Sequence, residues 1–185
     1  SHPVPLQAQF TYIMAKRLND FSWVEAYWKR LESILTWYEK NGTARDHYFV
    51  WTSFHGNGID NNPSVYGRPA CSSAGIDLAC WHYREYRAMA RLSVELGKKN
   101  ETDYLEKAER LKRLIVTRYW DHIDRNFYNI DCLADNNQTS GQGIGWEYFI
   151  KLRNWASFFP LSARIAAPEL TKDMCTKALD ENEFL

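Results

Sequence analysis

The stretch AGIDLACWHYREYRAMARLSVEL, residues 74–96, decides the fold class. It reads as one long helix ending before Gly97, and its apolar residues surround most of the cylinder. A helix apolar on nearly all sides is buried on more than one of them. Its neighbours read differently. A helix opening at Asn100 or Thr102 places Leu105, Ala108, Leu111, Leu114, Ile115 and Tyr119 on one face and leaves Lys107, Arg110 and Lys112 to solvent. Upstream, Val24, Tyr27, Trp28, Leu31, Ile34, Leu35 and Tyr38 recur at helical spacing. Ser22 with Glu25 is a capping-box pattern there, Phe21 with Ala26 a staple pair, and Asn41-Gly42 a stop suited to a left-handed cap. Further helices are predicted over 6–17, within 149–165, and over 168–180 with Pro168 in the first turn.

Residues 43–73 and 121–146 read as long irregular connections, with Tyr48-Phe49-Val50-Trp51 a short extended piece and little strand signal elsewhere. Pairs of helices are thus joined alternately by short turns and long loops, and helices apolar all round alternate with amphipathic ones. That is the pattern of an all-α fold in two concentric helical layers, the inner one covered on both sides.

Composition narrows the function. The chain has 185 residues, 45% hydrophobic and 25% charged, enough for one globular domain with a core. Basic and acidic residues balance at a net charge of zero, so no basic field draws in nucleic acid or anionic lipid. No apolar run is long enough to span a bilayer. Cys71, Cys80, Cys132 and Cys175 show neither a C-x-x-C pair nor zinc spacing, so they read as structural or free thiols, and no metal or cofactor is expected. The start at Ser1-His2-Pro3 is compatible with removal of a leader or an upstream domain, which slightly favours a periplasmic or secreted location. The sequons at Asn41, Asn100 and Asn137 carry little weight. Eight Trp and eleven Tyr serve equally well as an aromatic core or as a carbohydrate site.

The first long connection is the place to look for chemistry. It contains Gly56-Asn57-Gly58-Ile59-Asp60-Asn61-Asn62-Pro63, preceded by Trp51, Phe54 and His55 and followed by Tyr66. Glycine and asparagine accept unusual dihedrals, so Asp60 sits on a shaped loop among rings and amides. Rings stack on sugars, amides bind hydroxyls, and a carboxyl group can protonate a leaving oxygen. Each residue also has a plain structural role. Asp60 can bond its own turn, Trp51 can be core (its place just before the loop favours a platform), and Asn61 and Asn62 can simply shape the turn. His55 reads as a loop histidine, Trp146 as packing, and Arg84, Glu85 and Arg87 as either a buried ion network or a solvated face. The run Gly141-Gln142-Gly143-Ile144-Gly145 lacks the Lys-Ser/Thr of a phosphate loop and reads as a flexible connection.

Several of these segments, in order, resemble the catalytic domain of glycoside hydrolase family 63 and its trehalase-like relatives. Ser1-His2-Pro3 is similar to the family's Ser-Gln-Pro-Pro. Phe49-Val50-Trp51 followed by Gly58-Ile59-Asp60-Asn61-Asn62-Pro63 resembles its Trp followed by Glu-Ser-Gly-Met-Asp-Asn-Ser-Pro. Ile76-Asp77-Leu78 with Tyr83-Arg84-Glu85-Tyr86 resembles its next helix, and Trp120-Asp121 with Phe127-Tyr128 its Trp-Asp and Phe-Tyr-Asp segment. Phe159-Pro160-Leu161 through Ile165-Ala166 is similar to its Pro-Leu-Phe-Ala-Gly-Ile-Ala.

The resemblance covers most of the chain and implies an (α/α)6 barrel that hydrolyses an α-linked glucoside or related oligosaccharide with inversion. It implies Asp60 as general acid, with Trp51, His55, Asn57, Asn61, Asn62, Tyr66 and Asp77 as substrate-binding candidates, Asp77 bracing the site. The family's general base is a Glu beyond a second half of the barrel. Residues 1–185 are therefore expected to be the N-terminal portion of one such domain, inactive alone, with the rest of the barrel as partner. Glu147 and Glu181 are alternative bases, though neither lies in the family's base motif. Gly56 and Asn57 stand where the motif has Glu-Ser, and Ser64 where Arg is common; both departures bear on which sugar is recognised. Two other classes compete. A non-catalytic carbohydrate-binding helical scaffold fits the missing second carboxylate. A helical-toroid epimerase ranks last, because such enzymes lean on histidines and the five here are scattered.

Overall fold

The computed structural model describes residues 4–44, 47–59, 62–132 and 148–180. Its helices are α1 (Gln7–Leu18), α2 (Trp28–Asn41), α3 (Ile76–Glu95), α4 (Glu101–Arg118), the single turn α5 (Phe159–Ser162) and α6 (Pro168–Ala178). As its sequence requires, α3 is the hub. Ile76, Leu78, Tyr83, Met89 and Leu92 are buried around its circumference, and it packs against α4, α1 and α5. Each such side chain removed from water contributes roughly 1.5–3 kcal/mol. Arg87 and Arg91 mark the side of α3 left open.

The amphipathic helices are placed as expected, with local exceptions. On α4 the inward residues are Tyr104, Ala108, Leu111 and Ile115, while Leu105 is exposed. Tyr104 takes the inner position because its ring meets Trp28 edge-on and its hydroxyl reaches Glu32. The capping box at Ser22 does not form. Residues Ser22–Tyr27 are a 3₁₀ turn, the Ser22 amide donates to Asp20 Oδ1, Glu25 pairs with Lys98, and α2 starts only at Trp28. Gly42 is not left-handed, at φ −112°. Its lack of a side chain serves close approach instead, since a Cβ there would lie 3.1 Å from the Tyr38 carbonyl oxygen. Left-handed caps occur at Asn19 after α1 (φ 51°) and at Gly97 just past α3 (φ 62°).

The two short connections lie at one end of the helices and the two long ones at the other. That second end carries strands the sequence did not announce: β1 (Ser73–Ala74), β2 (Trp120–Asp121), β3 (Asn126–Phe127), β4 (Asn129–Asp131) and β5 (Tyr148–Ile150). β2 and β3 form a hairpin, and β1, β4 and β5 form an antiparallel sheet with β4 central. Its register pairs Ser73 with Asp131 and Asn129 with Ile150. Val50 bridges to Ala74, and the Trp51 amide donates to the Ser73 carbonyl at 3.1 Å, so the extended piece expected at 48–51 lies along this sheet. Within 149–165 helix is confined to the 3₁₀ turn Trp155–Phe158 and α5.

This sheet stands on the N-terminus of α3, whose first amides need acceptors. Asn129 Oδ1 accepts from the Ile76 amide at 2.9 Å and Asp77 Oδ1 from the Leu78 amide at 2.7 Å. Glu85 does the same service for α1: its carboxylate accepts from the Ala8 and Gln9 amides at 2.9 and 3.0 Å. Cys71 and Cys175 are exposed and Cys80 and Cys132 buried, with no disulfide among the described residues. No described helix is long and apolar enough to cross a membrane.

Candidate active site

The Gly- and Asn-rich loop lies above the N-terminus of α3, and its described residues are held from both sides of position 60. Before it, Asn57 is buried and its Oδ1 accepts from the Ile59 amide at 2.7 Å, a side-chain mimic of a backbone turn. Gly58 follows at φ +70°. A Cβ there would be strained by the left-handed backbone, and Val4 Cγ2, 2.8 Å away, would have to shift. After it, Asn62 is buried, its Oδ1 accepts from the Ser64 amide at 3.0 Å, and its carbonyl accepts from the Val65 and Tyr66 amides. Asn154, far along the chain, donates from Nδ2 to Ser64 Oγ at 2.9 Å and to Asn62 Oδ1 at 3.3 Å. Asp60 and Asn61 themselves, and the alternative bases Glu147 and Glu181, lie outside the described residues.

Trp51, expected as a platform, is 1% exposed and has no open ring face to offer a sugar. Its indole Nε1 instead donates to Asp77 Oδ1 at 3.2 Å, and its ring meets Trp81 edge-on. Gly75 makes that contact possible, because a Cβ there would come within 2.4 Å of Asp77 Oδ1 and 2.5 Å of Trp51 Nε1. Asp77 is fully buried. Desolvation pushes its carboxyl up to about 6, against the lowering effect of the Leu78 amide and the Trp51 indole. Its Oδ2 has no partner among the described residues, and neither has Asn62 Nδ2 nor Asn129 Nδ2.

His55 and Tyr66 are exposed and flank the loop on its solvent side. The structure therefore gathers Trp51 and Asp77 below the loop, Asn57 and Asn62 within it, and His55 and Tyr66 outside it. The ring that touches the loop from below is Trp81, whose Cη2 lies 3.9 Å from where a Gly58 Cβ would be. Arg84, Glu85 and Arg87 divide: Glu85 is buried against α1, Arg87 is exposed and bonds the Tyr83 hydroxyl.

The contacts of Asn154 with the loop and of Asn129 with α3, and the exposure of Trp155, were not legible in the sequence. Asn154 caps the 3₁₀ turn Trp155–Phe158, its Oδ1 accepting from the Ala156 amide at 2.8 Å. An Asn ahead of a short apolar run is a weak turn signal, but its bonds to Ser64 and Asn62 span about ninety residues and leave no local trace. Nearby, burial alone would raise the Asp121 carboxyl, but Lys151 and the Ile123 and Asp124 amides outweigh it and hold it below the usual range.

A model of the mannosylglycerate hydrolase MGH1-like glycoside hydrolase domain matches residues 2–185. Among solved structures, the GH63 mannosylglycerate hydrolase from Thermus thermophilus in complex with glucose superposes with a TM-score of 0.74 at 14% identity, over 95% of this chain and 50% of that one. The same hydrolase in complex with Tris gives 0.74 at 13% identity, over 95% and 53%. A sialidase chain gives 0.72 at 15% identity, over 90% of this chain and 14% of its own length. Comparison with curated proteins finds no match. At these identities the structural likeness is one of fold, the (α/α)6 toroid, and the chain spans about half the length of the two hydrolase chains. With a family match running from residue 2 to residue 185 and that fold beneath it, the chain belongs to the MGH1-like glycoside hydrolase domain family, within glycoside hydrolase family 63.

Proposed function

We propose that this chain carries the acid side of an inverting α-glycosidase site, with Asp60 as general acid and the general base outside residues 1–185. The observation that carries the reading is the framing of position 60. Asn57 fixes the chain before it, and Asn62, Ser64 and Asn154 fix it after, above the N-terminus of the central helix. Such framing suits a carboxyl group that must meet a leaving oxygen in one geometry. Asp60, protonated, gives its proton to the glycosidic oxygen. A second carboxylate, roughly 6.5–9.5 Å away, draws a proton from water on the opposite face of the sugar. Trp51 acts through Asp77, which it orients, rather than by stacking. Asn57 and Asn62, buried, hold the loop in shape, Asn61 is the remaining candidate amide for a sugar hydroxyl, and His55 and Tyr66, exposed beside the loop, face the incoming substrate. The substrate class is an α-linked glucoside or mannoside, of which mannosylglycerate is the first to try.

The test is Asp60→Asn in protein that includes the downstream hairpins, assayed on α-mannosylglycerate and α-glucosides with the product anomer followed by NMR. Loss of general acid catalysis lowers kcat by about 10²–10⁴, and the first-formed anomer is inverted. Unchanged hydrolysis by Asp60→Asn, or a retained anomer, defeats the assignment. Residues 1–185 alone are expected to be silent in the same assay; sugar binding without hydrolysis even in the longer protein favours the scaffold reading.

A further inference from the structure

Trp155 is 55% exposed, while the two residues after it in its 3₁₀ turn, Ala156 and Ser157, are 1% and 2% exposed. The turn is therefore firmly seated and holds one large ring out into solvent. Its seat is the loop itself, since Asn154, the adjacent residue, bonds Asn62 and Ser64. The ring is also backed from below. Trp155 lies against Phe159 at 5.3 Å with a 35° tilt, and Phe159 meets Trp81 edge-on at 4.9 Å. Trp81 in turn meets Trp51, which is bonded to Asp77, and its far edge faces Gly58. A ladder of rings thus runs from the buried carboxyl group to the surface beside the loop, opening from the buried Trp51 and Trp81 through the partly buried Phe159 to the exposed Trp155. A ring fixed by packing loses little freedom when a ligand lands on it, which is the condition for useful stacking.

We infer that Trp155 is the sugar-stacking platform of this site, the role the sequence offered to Trp51, and that it takes the apolar face of a pyranose ring. The inference rests on the glycosidase reading above. Asn154 couples the platform to the loop, so the distance between ring and loop is set by two hydrogen bonds rather than by a mobile side chain.

The experiment is ligand-observed NMR titration of the 185-residue chain with α-mannosylglycerate and with glucose, for the native protein, Trp155→Ala and Trp155→Phe. Trp155→Ala should weaken binding roughly tenfold, and Trp155→Phe should retain most of it. Circular dichroism and Tm should stay near native, because the ring is half in water. Equal affinity for native and Trp155→Ala overturns the platform and leaves the glycosidase reading standing. No binding of either sugar by the native chain also overturns the platform, while the glycosidase reading is decided separately by Asp60→Asn in the longer protein. Oxidation with N-bromosuccinimide gives a readout free of any folding defect. Trp37, 45% exposed on α2, is the internal control. Bound sugar should protect Trp155 and leave Trp37 reactive; equal protection or none counts against the platform.

Discussion

Asp77 holds a carboxyl group of which only one oxygen is bonded among the described residues. Because burial raises it from 3.8 to about 6, the folded protein keeps this proton over a pH range in which the unfolded chain has lost it. Between those two values the folded state binds more protons, so stability from this group falls as pH rises and levels off above pH 6. The full change is on the order of 3 kcal/mol. Asp77→Asn retains an acceptor for Trp51 and Leu78 without the titration. The Tm difference between native and Asp77→Asn should therefore grow in favour of the variant from pH 4 to 6 and then hold constant; a difference flat across that range would place the raised carboxyl elsewhere. The same contact explains Gly75. Gly75→Ala forces a methyl group into the space shared by Asp77 and Trp51, and overpacking of this kind costs about 1–3 kcal/mol. A native Tm for Gly75→Ala would show that the Trp51–Asp77 bond is not needed for the fold.

Helix α1 illustrates how an element depends on a residue far away in sequence. Its N-cap position, Leu6, offers no side-chain cap, and the amides of Ala8 and Gln9 are satisfied by Glu85 of α3. Glu85→Ala should expose those donors in a buried place and destabilise by about 1–3 kcal/mol per unsatisfied group, with the loss concentrated in α1. Hydrogen exchange resolved by residue is the check: protection should drop first over Gln7–Leu18, and a uniform loss would contradict a capping role. Elements of this kind mark the limit of reading the chain locally. The long helices were legible because periodicity is a property of the segment itself, as the burial of α3 on nearly every side bears out. The five strands were not, since two or three residues cannot display a period of two, and their pairing, such as Ser73 with Asp131, is decided across the fold. The capping box at Ser22 failed for the related reason that Asp20 and Lys98 compete for the same groups. At the candidate site the loop drew attention by its composition, but the burial of Trp51 and the exposure of Trp155 were not legible, because exposure of a ring depends on what packs beneath it.

At the scale of the molecule, α1 leaves a stripe uncovered. Phe10, Ile13, Met14 and Leu18 recur at helical spacing and are 58%, 41%, 54% and 64% exposed. Beside the stripe, Arg84, Arg87, Arg91 and Arg164 line a cleft of about 480 Å³ between α1, α3 and the residues after α5, and none forms an ion pair among the described residues. A closed ring of helical hairpins gives each inner helix a neighbour on both sides, and an apolar stripe of this form is what an inner helix shows on a side where no such neighbour packs. The 185-residue chain is therefore expected to associate through α1. Apolar contact draws two copies together, while the flanking guanidinium groups repel each other over a Debye length of about 10 Å at 0.1 M salt. Association should accordingly strengthen as salt rises, opposite to the behaviour of an ion-paired interface. Phe10→Gln with Met14→Gln, both outside the core, should shift sedimentation toward monomer and lower dye binding to exposed apolar surface while leaving Tm nearly unchanged. A native chain that sediments as a monomer at every salt concentration, with a cooperative melt and no dye binding, would mean that the stripe is tolerated as ordinary surface and that α1 needs no further hairpin against it.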